Sequence, residues 1–306
     1  MREGAFRDRR RAERDRWAEV DPPPTAERNR GELSGRPYFR SGEDLWRVVS
    51  GFGDPREMVK MQKEECERYW RMVHASNTDD LAAVCFPDKP RYFNLFFDRV
   101  QKFAVGEFLR RERVRVAGWR WLDLGCGKGR WLRYFSRLGV QACGIDVSGE
   151  AVDHCRGLGF AAEQGGIEDL PYGPGAFDAT SSVTVLMHLP PSQRERAIAE
   201  LSRVLVPGGL ALLVEATRDS ESAHVYGMGV DQWELAFAAQ GLSLIHISGH
   251  CFGVWRNRLP RWLPFRDRVS IYLDYPVEFA LMKARYGKRS DLGWQHVMVF
   301  RKRSRE

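Results

Sequence analysis

The chain has 306 residues, of which 43% are hydrophobic and 29% are charged, and its formal net charge is +7. This composition is typical of a soluble globular protein with one large or two small domains, and no stretch approaches the roughly 20 apolar residues of a membrane-spanning helix. The six cysteines show no CxxC or other metal-ligand spacing, so we predict reduced thiols, a cytoplasmic protein and no metal site.

The positive charge is concentrated at the two ends of the chain. Residues 1–40 carry 11 arginines against 8 acids, and residues 253–306 carry 13 basic against 5 acidic residues. Residues 1–36 combine these charges with a triple proline and have no apolar period, which predicts a flexible, Arg-rich tail. Because this start contains no apolar segment of signal-peptide type, export is not expected.

Residues 37–114 are predicted to form a helical cap. Apolar and aromatic residues recur at helical spacing over residues 43–74, where two glycines and Pro55 divide the stretch into two short helices. Capping residues predict a short helix within residues 77–84. A longer helix with a phenylalanine-rich face is predicted over residues 91–113.

From residue 115 onward, strands and helices alternate, which indicates a parallel sheet with helical crossovers. The predicted strands cover residues 119–124, 140–145, 160–163, 177–186, 208–216, 242–249 and 294–301. The intervening helices are predicted over residues 129–138, 149–157, 191–205 and 231–240. An insertion at residues 251–293, rich in aromatic residues and arginines, precedes the last strand and the basic tail of residues 294–306. Its composition suits a lid over the acceptor, an interfacial segment or a core-packing subdomain.

A glycine turn after the first predicted strand indicates a site for a nucleotide-like ligand. Gly125, Gly127 and Gly129 follow Asp123, and glycines let the backbone approach a ligand closely. The helix that follows offers unpaired N–H groups at its N-terminus. A nicotinamide or flavin site would have the spacing G-x-G-x-x-G, so the shorter spacing and the preceding acid favour another ligand.

Four segments of the chain resemble the class I S-adenosylmethionine-dependent methyltransferases, in the order typical of that family. The segments are Leu122-Asp-Leu-Gly-Cys-Gly-Lys-Gly129, Gly144-Ile-Asp-Val-Ser148, Leu170-Pro-Tyr-Gly-Pro-Gly-Ala-Phe-Asp178 and Leu201-Ser-Arg-Val-Leu-Val-Pro-Gly-Gly209. The resemblance covers about residues 115–250 and the final strand. It implies a Rossmann-like α/β fold with a seven-stranded, mostly parallel sheet in the order 3-2-1-4-5-7-6, whose last strand is antiparallel.

The resemblance also implies S-adenosylmethionine as the cofactor. Asp123 and the glycine loop would hold its methionine end, Asp146 would accept hydrogen bonds from the ribose hydroxyls, and Val147 would line the adenine. The full set of implied cofactor residues is Asp123, Gly125, Cys126, Gly127, Gly129, Asp146, Val147, Ile167 and Glu168.

One position departs from the family pattern. Members often carry an acid shortly before the Leu-Pro pair, where it contacts the adenine amino group, but this chain has Gly166 there. Ile167 can still offer its backbone N–H to the ring, and Glu168 can replace the missing acceptor.

His188 is the candidate catalytic residue. It lies just beyond the fourth predicted strand, in a loop that borders the transferred methyl group in this family. A neutral histidine suits deprotonation of a hydroxyl near pH 7, and the alternative is that it hydrogen-bonds the backbone and fixes the loop. The candidate acceptor contacts are His224, Tyr226 and Trp262.

We therefore predict methyl transfer to a small molecule, with oxygen as the favoured target atom; the basic ends of the chain suit an anionic or amphiphilic acceptor. One alternative is a membrane-surface methyltransferase that acts on a lipid or lipid-linked glycan, because aromatic residues beside arginines suit peripheral contact with anionic lipid. Another is a Rossmann-like protein that binds the cofactor without catalysis, or binds another nucleotide. Nucleic acid is not expected, because no recognised binding motif accompanies the charge.

Overall fold

The computed structural model describes residues 55–76, 80–81, 90–217, 221–222, 225–250, 265–288 and 295–304; within these ranges the side chains of residues 55–63, 66, 221–222 and 266–267 are not described. The predicted Arg-rich tail of residues 1–36 lies outside these ranges. The first of the two predicted short helices, the one that precedes Pro55, also lies outside them. None of the described helices is both long and apolar enough to cross a membrane.

Seven strands of the described chain form one sheet. The strands are β1 (Arg120–Leu124), β2 (Gln141–Asp146), β3 (Ala161–Gln164), β4 (Phe177–Val183), β5 (Leu205–Ala216), β6 (Leu242–His250) and β7 (Gln295–Lys302). Their order is β3-β2-β1-β4-β5-β7-β6. Strands β1 to β5 pair in parallel, and β7 runs antiparallel to both β5 and β6. The predicted fold class, strand order and antiparallel last strand are therefore confirmed.

Seven described helices accompany the sheet. They are α1 (Pro55–Ser76), α2 (Arg91–Arg111), α3 (Arg130–Ser136), α4 (Gly149–Gly157), α5 (Pro191–Val204), α6 (Val230–Ala239) and α7 (Arg266–Ala284). The helix after the predicted break is a single helix of 22 residues. It begins at Pro55, which is compatible with a first turn because its missing N–H would have no partner there.

The structure differs from the sequence-based prediction at the end of the fourth strand and in the insertion. The fourth strand ends at Val183, because the next residue, Thr184, adopts a positive φ of 56° that breaks the extended run. A single 3₁₀ turn (Leu186–His188) follows it. Of the helix predicted within residues 77–84, only Asp80 and Leu81 are described. Helix α7, which lies in the insertion, was not predicted.

Apolar helix faces cover both sides of the sheet. Helices α2, α3 and α7 bury side chains such as Phe108, Phe135 and Met282 against one side. Helices α5 and α6 bury Leu201 and Trp233 against the other. Each fully buried large apolar side chain contributes roughly 1.5–3 kcal/mol. Since both sides are occupied, a ligand must approach at an end of the strands, and in open α/β sheets that end is the carboxyl one.

Candidate functional site

A cavity lies where β1, β2 and β4 end, at the carboxyl edge of the sheet; we call it the rim cavity. It holds about 930 Å³ of space, a figure that includes the solvent at its open mouth. The predicted site residues that line it together are Asp123, Gly125, Cys126, Gly127, Asp146, Val147, Ile167, Glu168 and His188. Gly129 does not line it; this residue instead begins α3 as its N-cap.

The glycine loop packs directly against the loop that follows β4. Gly125 has a φ of +63°, and a Cβ atom added to it would lie 2.5 Å from Val185 Cγ2. Such a distance is too short for two carbon atoms, so a side chain at Gly125 would push the two loops apart. Gly127 and Gly129 also have positive φ values, of 49° and 74°. The glycine spacing is therefore required by the local backbone as well as by close approach to a ligand.

Asp146 ties the glycine loop to the end of β2. Its Oδ2 accepts a hydrogen bond from the Gly127 backbone N–H at 2.9 Å, and its Oδ1 accepts one from the Ser148 N–H at 2.9 Å. The carboxylate is buried and faces the rim cavity. Each oxygen keeps acceptor capacity beyond one hydrogen bond, so Asp146 can also accept from a ligand hydroxyl.

Asp123 is a buried carboxyl that ionises near neutrality. The Ser181 hydroxyl donates to its Oδ1 at 2.6 Å, and the Trp121 Nε1–H donates in turn to Ser181 Oγ at 3.0 Å. Burial raises the pKa of Asp123 to about 7, although the Ser181 hydrogen bond and Arg130 act in the opposite direction. Burial disfavours the charged form of a carboxyl, so a cationic ligand group beside Asp123 would favour its ionisation.

Glu168 fills the space left by the missing side chain at Gly166. A Cβ atom added to Gly166 would lie 2.5 Å from Glu168 Oε2 and 2.9 Å from its Oε1. The Glu168 side chain is buried and lines the rim cavity beside Ile167. The carboxylate therefore lies where an acid at residue 166 would begin.

Glu215 fixes the loop that carries His188. This fully buried residue of β5 accepts hydrogen bonds at its Oε1 from the Val185 N–H at 3.1 Å, the Leu186 N–H at 3.0 Å and the Ser182 hydroxyl at 2.9 Å. Burial raises its pKa to about 7. Thr184, a β-branched residue with a φ of 56°, adds backbone strain to this loop. His188 is thus held on a constrained turn.

Helix α1, which lies in the predicted helical cap, supplies part of the cavity wall. Glu67, Trp70 and His74 line the rim cavity, at a spacing that places them on one helix face. The Trp70 ring lies edge-on to His188 with centroids 4.9 Å apart. His74 Nδ1 lies 3.9 Å from Asp146 Oδ1, and burial lowers the pKa of His74 although Asp146 acts to raise it. Sequence spacing did not single out these three residues, because it does not show what a helix face contacts.

Two buried N–H donors at the start of α3 belong to side chains that line the cavity. Arg130 donates through Nη1 to Asp98 Oδ1 at 3.1 Å and to Gln101 Oε1 at 2.8 Å. Its Nε–H and the Nε1–H of Trp131 have no hydrogen-bond partner among the described residues, and both side chains line the rim cavity. Since buried donors are normally paired, these two indicate a ligand acceptor. Neither was predicted from the sequence.

The predicted acceptor contacts are only partly described. Tyr226 lies in a short hairpin formed by Glu221–Ser222 and Val225–Tyr226. It does not line the rim cavity; its carbonyl oxygen accepts a hydrogen bond from Arg194 Nη1 at 2.6 Å. His224 and Trp262 lie outside the described residues.

Comparison with known proteins identifies the family. Residues 122–213 match the family described as a methyltransferase domain. The chain is 32% identical over 194 residues to the ubiquinone biosynthesis O-methyltransferase of Xanthomonas euvesicatoria pv. vesicatoria (strain 85-10), a match that spans 54% of this chain and 79% of that protein. The chain belongs to the class I S-adenosylmethionine-dependent methyltransferases. The predicted family and enzyme class are confirmed.

Two further comparisons define what this methyltransferase shares with other members. It is 33% identical over 159 residues to a probable tRNA methyltransferase 9B of Homo sapiens, covering 50% of this chain but only 34% of the human protein. A solved structure of a putative sarcosine dimethylglycine methyltransferase from Galdieria sulphuraria matches with a TM-score of 0.50 and 17% identity, over 78% of this methyltransferase and 98% of that chain. The structural likeness supports the fold alone, and these relatives have different acceptors in their names.

Proposed function

We propose that this methyltransferase transfers a methyl group to an oxygen of a small-molecule acceptor, with His188 as the general base. One observation carries this proposal: His188 lines the same cavity as the glycine loop and Asp146, and it is held on a constrained turn. The apolar part of that cavity includes Trp70, Val185 and Leu189, which suits an apolar or aromatic acceptor carrying a hydroxyl.

The rim cavity also fits S-adenosylmethionine. Asp123 suits the ammonium group of the methionine end, and the unpaired N–H donors of Arg130 and Trp131 suit its carboxylate. Asp146 suits the ribose hydroxyls. Ile167 and Glu168, which also line the cavity, suit the adenine.

The residues around the acceptor have two tasks, orientation and proton removal. When bound, S-adenosylmethionine supplies a methyl group on a sulfonium centre, so that an acceptor oxygen displaces sulfur, which keeps the electron pair of the broken carbon–sulfur bond. The imidazole of His188 accepts the hydroxyl proton, and the edge-on contact with Trp70 restrains its ring. Alignment of the two reacting atoms supplies much of the rate increase, and general-base catalysis adds about 10²–10⁴-fold.

Cofactor affinity is expected to fall as the pH drops below about 7, because burial raises the pKa of Asp123 to about 7. Folding raises this pKa from 3.8 to about 7, so the contribution of Asp123 to stability is fully present below about pH 4 and is lost as the pH rises to about 7. A cationic ligand group binds the ionised form of Asp123, so it restores the stability that is lost when Asp123 ionises. For one linked proton, affinity should fall about tenfold between pH 8 and pH 6, as measured by calorimetric titration.

Asp123→Asn is the matched variant for this pH dependence. It should bind the cofactor more weakly at pH 8 and show little change between pH 8 and pH 6. If the variant kept the full tenfold dependence, another group, such as His74 at the ribose end, would be the one that titrates.

Glu168→Ala is expected to weaken cofactor binding about tenfold, or ~1.4 kcal/mol, because the adenine amino group loses a charged acceptor. Gly166→Asp alone should also weaken binding, since its Cβ would collide with the Glu168 carboxylate. The double variant should recover affinity, because the three atoms nearest to that Cβ all belong to Glu168. Asp169→Ala, which removes the neighbouring exposed acid, is the control, and dissociation constants are the measurement. Equal losses in the single and double variants would contradict the assignment.

The acceptor can be identified by mass spectrometry of cell extracts. The purified enzyme is incubated with small-molecule and tRNA fractions and S-adenosylmethionine, and products heavier by one CH₂ group are identified. The comparisons do not support the expectation that nucleic acid is excluded, since one relative is named as a tRNA methyltransferase. A methyl ether on a small molecule, absent with His188→Ala, supports the proposal; methylation confined to tRNA contradicts it.

A further inference from the structure

Helix α7 has apolar residues on its exposed face and acids on its buried face. Asp274 and Glu278 are only 5% and 2% exposed, whereas Phe265 and Tyr272 are 80% and 70% exposed. The exposed residues among the described side chains of residues 265–284 are Phe265, Arg268, Val269, Tyr272, Leu273, Pro276, Ala280, Lys283 and Ala284. None of these is acidic. This distribution is the reverse of a helix whose outer face meets only water.

The first two-thirds of this face forms a compact patch, which we call the α7 surface. It consists of Phe265, Arg268, Val269, Tyr272, Leu273 and Pro276, which helical periodicity places along one side. Helix α7 packs on α2 through two half-buried rings, where Tyr275 lies 5.6 Å from Phe96 and Phe279 lies 4.4 Å from Phe103 between ring centroids. The orientation of α7 is therefore fixed by contacts that leave the α7 surface outside.

The backbone at the start of the helix adds an independent observation. Phe265 has a φ of 56°, a left-handed conformation that is unfavourable for a bulky side chain and that costs of the order of 1–3 kcal/mol. Its side chain is also the most exposed of the large apolar residues described. Within the folded chain, the aromatic ring of Phe265 is not buried and its backbone conformation is unfavourable. Both observations favour contact of Phe265 with another surface.

Charge indicates the chemistry of that surface. The only charged residue of the α7 surface is Arg268, and residues 253–306 carry 13 basic against 5 acidic residues. Exposed apolar and aromatic side chains in a segment with an excess of cationic residues suit the interface of an anionic bilayer. A six-residue patch is small for a stable dimer, in which each partner commonly contributes roughly 20–30 residues. RNA binding instead relies on many phosphate contacts, whereas valine, leucine and proline dominate this face alongside the rings.

We propose that the α7 surface docks this methyltransferase onto an anionic lipid bilayer, with Phe265 and Tyr272 inserted at the interface and Arg268 beside the headgroups. Docking does not depend on the identity of the acceptor or on His188. It would hold the enzyme where amphiphilic molecules concentrate.

The test is co-sedimentation of the full chain with vesicles of phosphatidylglycerol and phosphatidylcholine, with vesicles of phosphatidylcholine alone as the neutral reference. The wild-type chain should bind the anionic vesicles, and raising the salt concentration should weaken binding. Phe265→Ser/Tyr272→Ser should lower the partition coefficient at least tenfold, and Arg268→Glu should lower it on anionic vesicles. Leu235→Ser is the matched control, because Leu235 on α6 is an apolar residue 71% exposed elsewhere on the molecule.

Each outcome decides the proposal. Loss of binding in the α7 variants, with wild-type thermal unfolding midpoints and unchanged binding by the Leu235 variant, supports it. No binding of the wild-type chain to anionic vesicles overturns it, as does equal binding by all variants. Two other results also overturn it, because they assign the α7 surface to another partner. One is a wild-type dimer that dissociates in the α7 variants. The other is RNA binding that is lost in the α7 variants, when the wild-type chain does not bind vesicles.

Discussion

Gly125→Ala should weaken cofactor binding at least 100-fold, or ~2.7 kcal/mol, while the sheet stays folded. The added Cβ would lie 2.5 Å from Val185 Cγ2 and 2.7 Å from its Cγ1, and the backbone of Gly125 has a φ of +63°. To relieve the collision, the glycine loop or the loop after β4 must move, and both line the rim cavity. Cofactor dissociation constants from calorimetry and the thermal unfolding midpoint are the two measurements.

Gly118→Ala is the matched control, because Gly118 also has a positive φ, of 82°, but no heavy atom lies within 4 Å of its added Cβ. This variant should lose about 1 kcal/mol of stability from the backbone effect alone and should bind the cofactor normally. Val185→Ala removes both colliding γ-carbons, so Gly125→Ala/Val185→Ala should regain part of the lost affinity. Equal binding defects in the Gly118 and Gly125 variants would show that backbone strain, and not loop contact, is responsible.

His188→Ala is expected to lower turnover about 10²–10⁴-fold, the range of general-base catalysis, while cofactor affinity changes less than about threefold. The imidazole lies in the rim cavity against Trp70, but the loop around it is held mainly through Glu215. Loss of the ring should therefore affect proton transfer more than loop structure. Turnover is measured at saturating cofactor with the acceptor identified from extract.

Two further variants separate a base from a structural support. His188→Gln keeps hydrogen-bonding capacity but cannot accept the proton at neutral pH, so it should be as slow as His188→Ala. His154→Ala, which removes a half-exposed histidine of α4 that does not line the cavity, should retain wild-type turnover. Near-normal turnover of His188→Gln would assign His188 to loop support.

Much of the fold was predictable because it depends on local patterns. Apolar strands and amphipathic helices alternate along residues 115–250, because helices cover both sides of the sheet. The apolar runs of the strands and the 3.6-residue period of the helices can therefore be recognised in the sequence. The glycine loop and Asp146 were predictable for a related reason: the special backbone of Gly125 and the strand-end position of Asp146 are fixed by residues close to them in sequence.

The rest of the site depends on contacts between distant segments. Spacing places Trp70 and His74 on one helix face but does not reveal that this face covers the rim cavity. The hydrogen bonds of Glu215 to the loop before His188 join residues about 30 positions apart. Helix α7 could not be predicted from hydrophobic periodicity, because its inner face carries acids and its outer face carries Phe265 and Tyr272.

The most direct test of the cofactor assignment is a calorimetric titration of the purified chain with S-adenosylmethionine and, separately, with NAD. We expect one S-adenosylmethionine site per chain and no NAD binding. Asp146→Ala should weaken S-adenosylmethionine by roughly 1–3 kcal/mol, the cost of losing hydrogen bonds to a charged group. Tight NAD binding together with no response to S-adenosylmethionine would contradict the account.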